Sequence, residues 1–250
     1  MPPFTPRSTP RRTSPAQALA VTRERLRWNR RADSWDSEGS SGLRRVVAAV
    51  VTACRPSSET IAVDLGCGSG QVTLPLAREC ARVLAVDVSA PLIEQLETKA
   101  DDAGIQNIQT LTNPMETLDL PVRSVDLVVS NYALHHLRDP DKEQLVARAH
   151  GWLRPGGRLV VGDMMFGRGT DSQDRAIIAS KAKGLLSRGP GGWWRVAKNV
   201  WRFSLRLGER PLPAGEWESL VREAGFDHVA TERLVSEACV LTAVKPGAGA

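Results

Sequence analysis

The feature that most constrains this chain is a cluster of glycines that follows a short apolar run. Thr60 to Leu65 reads as a buried strand, and Asp64-Leu65-Gly66-Cys67-Gly68-Ser69-Gly70 follows before a helical stretch. Glycine accepts positive φ and lets a ligand approach the backbone closely. A helix start just beyond offers free N–H groups to an anionic group. Asp87 closes the next strand, where a carboxylate can accept hydrogen bonds from both hydroxyls of a ribose. A glycine-rich turn of this kind also serves dinucleotide dehydrogenases. Their G-x-G-x-x-G pattern needs glycine or alanine at position 71, where this chain has Gln71.

The rest of the chain alternates between strands and helices. Helices are expected over Gln71 to Glu79, Pro91 to Ala103 and Asp141 to Leu153, the last stopped by Pro155-Gly156-Gly157. Strands are expected over Arg82 to Asp87, Ile108 to Leu111, Val125 to Ser130 and Arg158 to Met164. Asp227 to Glu232 and Ala238 to Val244 read as an antiparallel hairpin at the sheet edge. The expected fold is α/β, a Rossmann-like, seven-stranded, mostly parallel sheet with helices on both faces and an antiparallel edge strand. Residues 1–16, with five prolines, read as a disordered tail. Residues 17–55 read as N-terminal helices, and 56–250 as the main domain with a helical insertion at about 168–213.

The D-x-G-x-G-x-G turn resembles the first motif of class I methyltransferases, which bind S-adenosylmethionine. Val86-Asp87-Val88-Ser89 is similar to the second-strand acid of that family and the adenine-stacking residue after it. Ser124 to Ser130 resembles its fourth strand, Asn131 to Leu137 its post-strand segment, and Leu153 to Leu159 its turn into the fifth strand. The closest likeness is to ubiquinone, menaquinone and natural-product methyltransferases. The resemblance implies that Gly66, Gly68 and Gly70 line the methionine portion of S-adenosylmethionine and that Asp64 orients it. Asp87 would take the ribose, with Val88 and Ser89 beside the adenine. The third-strand end reads Thr112-Asn113-Pro114-Met115-Glu116, where Asn113 replaces the family's usual acid toward the adenine amine, beside Pro114 and Met115. Ser130 and Asn131 would border the methionine end and the acceptor.

Methyl transfer from a sulfonium needs mainly alignment and exclusion of water, and a base only where the acceptor loses a proton. His135 and His136 are the candidate bases, although a paired histidine here is often structural. His150 reads as a packing residue. Four cysteines show neither C-x-x-C nor zinc-ligand spacing, so no metal site is expected.

The net charge of +5 is unevenly spread: residues 1–31 carry +7 and residues 175–212 carry +8, leaving −10 elsewhere. On residues 193–207, Arg195, Lys198, Arg202 and Arg206 form one stripe, opposite Trp193, Val196, Ala197, Val200, Phe203 and Leu207, with Trp201 at the side of that face. Three readings stand: a packed surface helix, a lid over an apolar acceptor, and attachment to an anionic membrane surface. The expected function is methylation of a small apolar or aromatic acceptor. The alternatives are a methyltransferase acting on a lipid or quinone at a membrane, and a nucleic-acid-binding methyltransferase or non-catalytic cofactor-binding protein. No nucleic-acid module is recognisable, which ranks that partner lower. A cytoplasmic location is expected from the cysteine usage and from an N-terminus without a signal-peptide pattern, with peripheral membrane contact through 193–207 as the alternative; no apolar run is long enough to span a bilayer.

Overall fold

A computed structural model describes residues 15–32, 41–167, 209–235 and 237–247. The amphipathic stretch 193–207, and most of the expected insertion, lie outside the described residues, as does the tail before Pro15.

Seven strands form one sheet in the order β3-β2-β1-β4-β5-β7-β6. They are β1 (Ile61–Leu65), β2 (Arg82–Asp87), β3 (Ile108–Thr112), β4 (Val125–Asn131), β5 (Leu153–Met164), β6 (Asp227–Arg233) and β7 (Ala238–Val244). The first five run parallel to one another, and β7 runs antiparallel to both β5 and β6. The described helices are α1 (Pro15–Asn29), α2 (Ser41–Cys54), α3 (Thr73–Ala77), α4 (Ala90–Asp102), α5 (Asp139–Trp152) and α6 (Ala214–Glu223).

The central strands β1, β2 and β4 are largely apolar and buried because both faces of the sheet are covered there, whereas the edge strands β3 and β6 are more polar and exposed. Successive side chains point to opposite faces, so each strand feeds two cores. Val63, Leu65, Leu84, Val86, Val128, Leu159 and Val161 join one core, with Leu145 and Trp152 of α5 and Trp217 of α6. Ala62, Val83, Leu127, Val129 and Val160 join the other, with Val46 and Val50 of α2 and Leu76 of α3.

Some boundaries differ from the sequence reading. Helix α3 begins only at Thr73, because residues 71 and 72 still belong to the glycine turn, which the Leu74 N–H to Gly70 O bond closes at 3.0 Å. Helix α5 begins at Asp139, with Pro140 in its first turn, where a missing N–H costs nothing. The Pro155-Gly156-Gly157 turn lies within β5 as an irregular excursion, with a register shift against β4 between Val125 and Leu127. Helix α1 starts at Pro15, so the final residues of the stretch read as tail are helical.

Candidate functional site

The strand order reverses between β1 and β4, and a crevice forms outside the carboxyl ends of strands at such a switch point. The glycine turn leaves β1 there. The Gly66 and Cys67 N–H groups donate to Val86 O at 2.8 and 3.1 Å, which folds the turn over the end of β2. Gly66 has φ +75°, and a Cβ added to it would lie 2.3 Å from the Ala133 Cβ. Only glycine fits between the turn and the segment after β4.

Asp87 locks this arrangement. Its Oδ2 accepts the Gly68 N–H at 2.9 Å and its Oδ1 accepts the Ser89 N–H at 2.8 Å. Burial raises its pKa, against the lowering effect of those N–H groups. Each carboxylate oxygen retains a lone pair for a ligand hydroxyl.

One cavity gathers Gly66, Gly68, Asp87, Val88, Met115, Asn131 and His136 from the sequence-derived set. Its wall also includes Val21, Glu24 and Trp28 of α1, together with Leu92, Glu116, Tyr132, Ala133 and Leu137. Sequence reasoning missed these. The α1 residues carry no local pattern that points to the crevice, whereas Glu116 and Tyr132 are direct neighbours of residues already singled out.

The other expected residues stand behind the wall. Asp64 is buried and accepts a hydrogen bond from Thr73 Oγ1 at 2.6 Å. Burial pushes its pKa up to about 7, opposed by the Thr73 hydroxyl and assisted by Asp87. Gly70 packs against α4, where a Cβ would meet Leu96 Cδ1 at 2.4 Å. Ser130 Oγ donates to Leu65 O at 2.8 Å and ties β4 to β1. Ser89 is buried and supplies its backbone N–H to Asp87. Asn113 and Pro114 do not line the cavity. The Asn113 carboxamide donates to Pro114 O at 2.8 Å and to Thr117 Oγ1 at 3.1 Å, which serves the local turn.

The two histidines occupy different environments. His135 is buried, and its Nδ1 lies 2.5 Å from Asp163 Oδ1 while its backbone N–H donates to Asp163 Oδ2 at 2.9 Å. Asp163, on β5, was not singled out from the sequence. The His136 ring packs 4.0 Å from that of His135 and edge-on to Trp28 at 5.1 Å. Burial, then His135 and Arg27, hold the His136 pKa well below the ordinary histidine value, so its imidazole is neutral. His150 packs edge-on against Phe226, as its sequence context suggested.

A second cavity of about 450 Å³ adjoins the first and shares Trp28, Tyr132 and His136 with it. His135, Leu43, Met164 and Val235 complete much of its wall, with Arg27, Arg31, Glu209 and Glu237 at hand.

Buried polar atoms test whether a ligand such as S-adenosylmethionine suits these residues. Glu24 Oε2, Asn131 Oδ1 and His136 Nδ1 are buried without hydrogen-bond partners, and all three residues line the first cavity. Such atoms are costly unless something supplies partners. With the glycine cradle and Asp87, the residues fit a polar ligand with a ribose and a charged amino-acid portion. Among the described residues, no group of three or more His, Cys, Asp or Glu is placed to hold a metal ion. No described helix is long and apolar enough to cross a membrane.

A doubly covered parallel sheet, a glycine turn at its switch point and an acid ending the second strand are the features that the resemblance to class I methyltransferases leads one to expect. Residues 62–157 match the family described as a methyltransferase domain. An uncharacterized methyltransferase of Mycobacterium tuberculosis is 35% identical over 113 residues, covering 45% of this chain and 55% of that protein. Phosphoethanolamine N-methyltransferase 1 of Triticum aestivum is 33% identical over 113 residues, covering 44% of this chain and 22% of that protein. The chain thus spans about half the length of the first of these relatives. Among solved structures, the Burkholderia thailandensis 1,6-didemethyltoxoflavin-N1-methyltransferase superposes with a TM-score of 0.64 at 21% identity, covering 97% of this chain and 95% of that one. At that identity the likeness speaks for the fold.

Proposed function

We propose that this protein transfers a methyl group from S-adenosylmethionine to a small, apolar or aromatic acceptor. The observation that carries the reading is the cavity at the switch point, where the glycine turn and Asp87 meet three unpartnered polar atoms. S-adenosylmethionine supplies an electrophilic methyl group on a positively charged sulfur.

The chain's residues have distinct tasks in this reading. Asp87 accepts from the ribose hydroxyls, and Gly66 and Gly68 let the amino-acid portion lie against the backbone. Val88 and Met115 give apolar contact to the base. Helix α1 covers the crevice with Val21 and Trp28 and excludes water. The acceptor occupies the second cavity, whose Trp28, Tyr132, Met164, Leu43 and Val235 suit an apolar or aromatic group. A small acceptor also agrees with the Burkholderia enzyme, which was solved with 1,6-didemethyltoxoflavin and S-adenosylhomocysteine bound.

His135 is the base of this reading where the acceptor must lose a proton. Asp163 holds the Nδ1–H, which leaves Nε2 as the accepting nitrogen. His136 serves as a neutral wall between the two cavities.

Calorimetry with S-adenosylmethionine tests the assignment. The wild-type protein is expected to bind, and Asp87→Ala to weaken binding by about 10–100-fold. That range corresponds to about 1.4–2.7 kcal/mol, roughly the worth of one charge-assisted hydrogen bond. Unchanged affinity in the variant would remove the ribose role, and no binding by the wild type would end the proposal.

A further inference from the structure

Three carboxylic residues line the first cavity, Glu24, Asp87 and Glu116, and neither Lys nor Arg appears in its described wall. Asp87 is engaged by the Gly68 and Ser89 N–H groups and has the ribose as its partner in the reading above. Glu24 and Glu116 have no part in that reading.

Glu24 projects from α1. Its Oε1 lies 3.6 Å from Arg27, a cation shared with Glu209 at 3.4 Å. Its Oε2 is buried without a hydrogen-bond partner. His136 Nδ1 lies 3.9 Å from that oxygen; it too is unpartnered and sits on a neutral ring. Glu116 lies across the cavity wall. Arg148 donates to its backbone oxygen at 2.8 Å, and burial raises the pKa of its carboxyl, with Asp141 and Glu24 adding like charge and Arg148 opposing. Asn131 Oδ1 adds one more acceptor without a donor. The described wall therefore gathers three carboxyl groups and the unpartnered Asn131 oxygen, with no lysine or arginine among its residues. Its complement is a positively charged group.

We propose that Glu24 and Glu116 form a cation-selecting wall, which holds the sulfonium donor in preference to the neutral thioether left after transfer. The inference rests on the donor assignment made above. When the S–CH3 bond breaks, its electron pair stays on sulfur and the methyl group bonds to the acceptor. The ligand left in the cavity then carries one positive charge less than the donor. A wall tuned to that charge favours donor entry and product departure without a separate device.

Calorimetry on the full chain reads this directly, with S-adenosylmethionine, S-adenosylhomocysteine and sinefungin as probes. Sinefungin carries an ammonium-bearing carbon in place of the sulfonium. The Glu24→Gln/Glu116→Gln variant is expected to lose about tenfold in affinity for S-adenosylmethionine and sinefungin, a modest loss for two half-screened charges. Its affinity for S-adenosylhomocysteine should stay within about twofold, and this binding also reports that the variant is folded. Equal losses for all three probes, or no loss for any, would overturn the cation-selecting role. A wild-type protein that binds none of them would overturn the donor assignment and this inference together.

Discussion

At the scale of single residues, Asp64 shows how the fold keeps a carboxyl where water would not. It is 1% exposed at the end of β1, and burial pushes its pKa up to about 7. A raised value in the folded state means that the fold prefers the protonated form. The associated stability is fully present below the unfolded value of 3.8 and is lost as pH rises through about 7. His136 has the opposite sign: its depressed value gives stability above 6.5 that is lost on acidification. The two slopes overlap, so a substitution is needed to separate them. Asp64→Asn keeps a carbonyl oxygen for the Thr73 hydroxyl and removes the ionisation. Denaturant unfolding at about pH 5 and about pH 8 should show the variant gaining more stability with rising pH than the wild type, because the His136 contribution is no longer opposed. Identical slopes would mean that Asp64 does not titrate across this interval.

At the scale of elements, α1 is the part that sequence patterns explained least. Leu19 and Leu26 are each 53% exposed, and Val21 is buried beneath the helix. Its tether to the body includes Gln95 Nε2 donating to Ala32 O at 3.1 Å and the Arg27–Glu209 pair at 3.4 Å. Yet Val21, Glu24 and Trp28 wall the cavity beside the glycine turn. The space left there for water is about 80 Å³, against roughly 300–1,000 Å³ for typical small-molecule sites. In the reading proposed above, α1 covers a ligand held in this cavity. S-adenosylmethionine should slow tryptic cleavage at the exposed Arg23 and Arg25, read by mass spectrometry; unchanged cleavage under saturating ligand would count against α1 as a cover. The central strands were legible because burial on both faces demands continuous apolar runs such as Val83 to Val86. The turn was legible because positive φ and close packing at Gly66 exclude other residues. The Glu24–His136 approach and the Asp163–His135 bond were not, because each joins elements distant in sequence. At Asn113 the amide nitrogen serves a local turn, whereas the sequence reading concerned the side-chain carbonyl.

At the scale of the molecule, the sheet and its two cores place two cavities side by side. One holds the glycine turn and acids; the other holds aromatic and apolar side chains, with His135 at its edge. They share Trp28, Tyr132 and His136, which is the geometry a transfer between two bound molecules needs. The excess positive charge of the chain belongs to its first residues and to 175–212, and the remainder is acidic. That division agrees with a cationic ligand in the body of the fold. A crystal structure with S-adenosylhomocysteine bound tests the account most directly. The account predicts ligand density in the first cavity, with both ribose hydroxyls on Asp87 and the sulfur turned toward the wall shared by Tyr132 and His136. Density elsewhere, or a ligand whose ribose avoids Asp87, would contradict it.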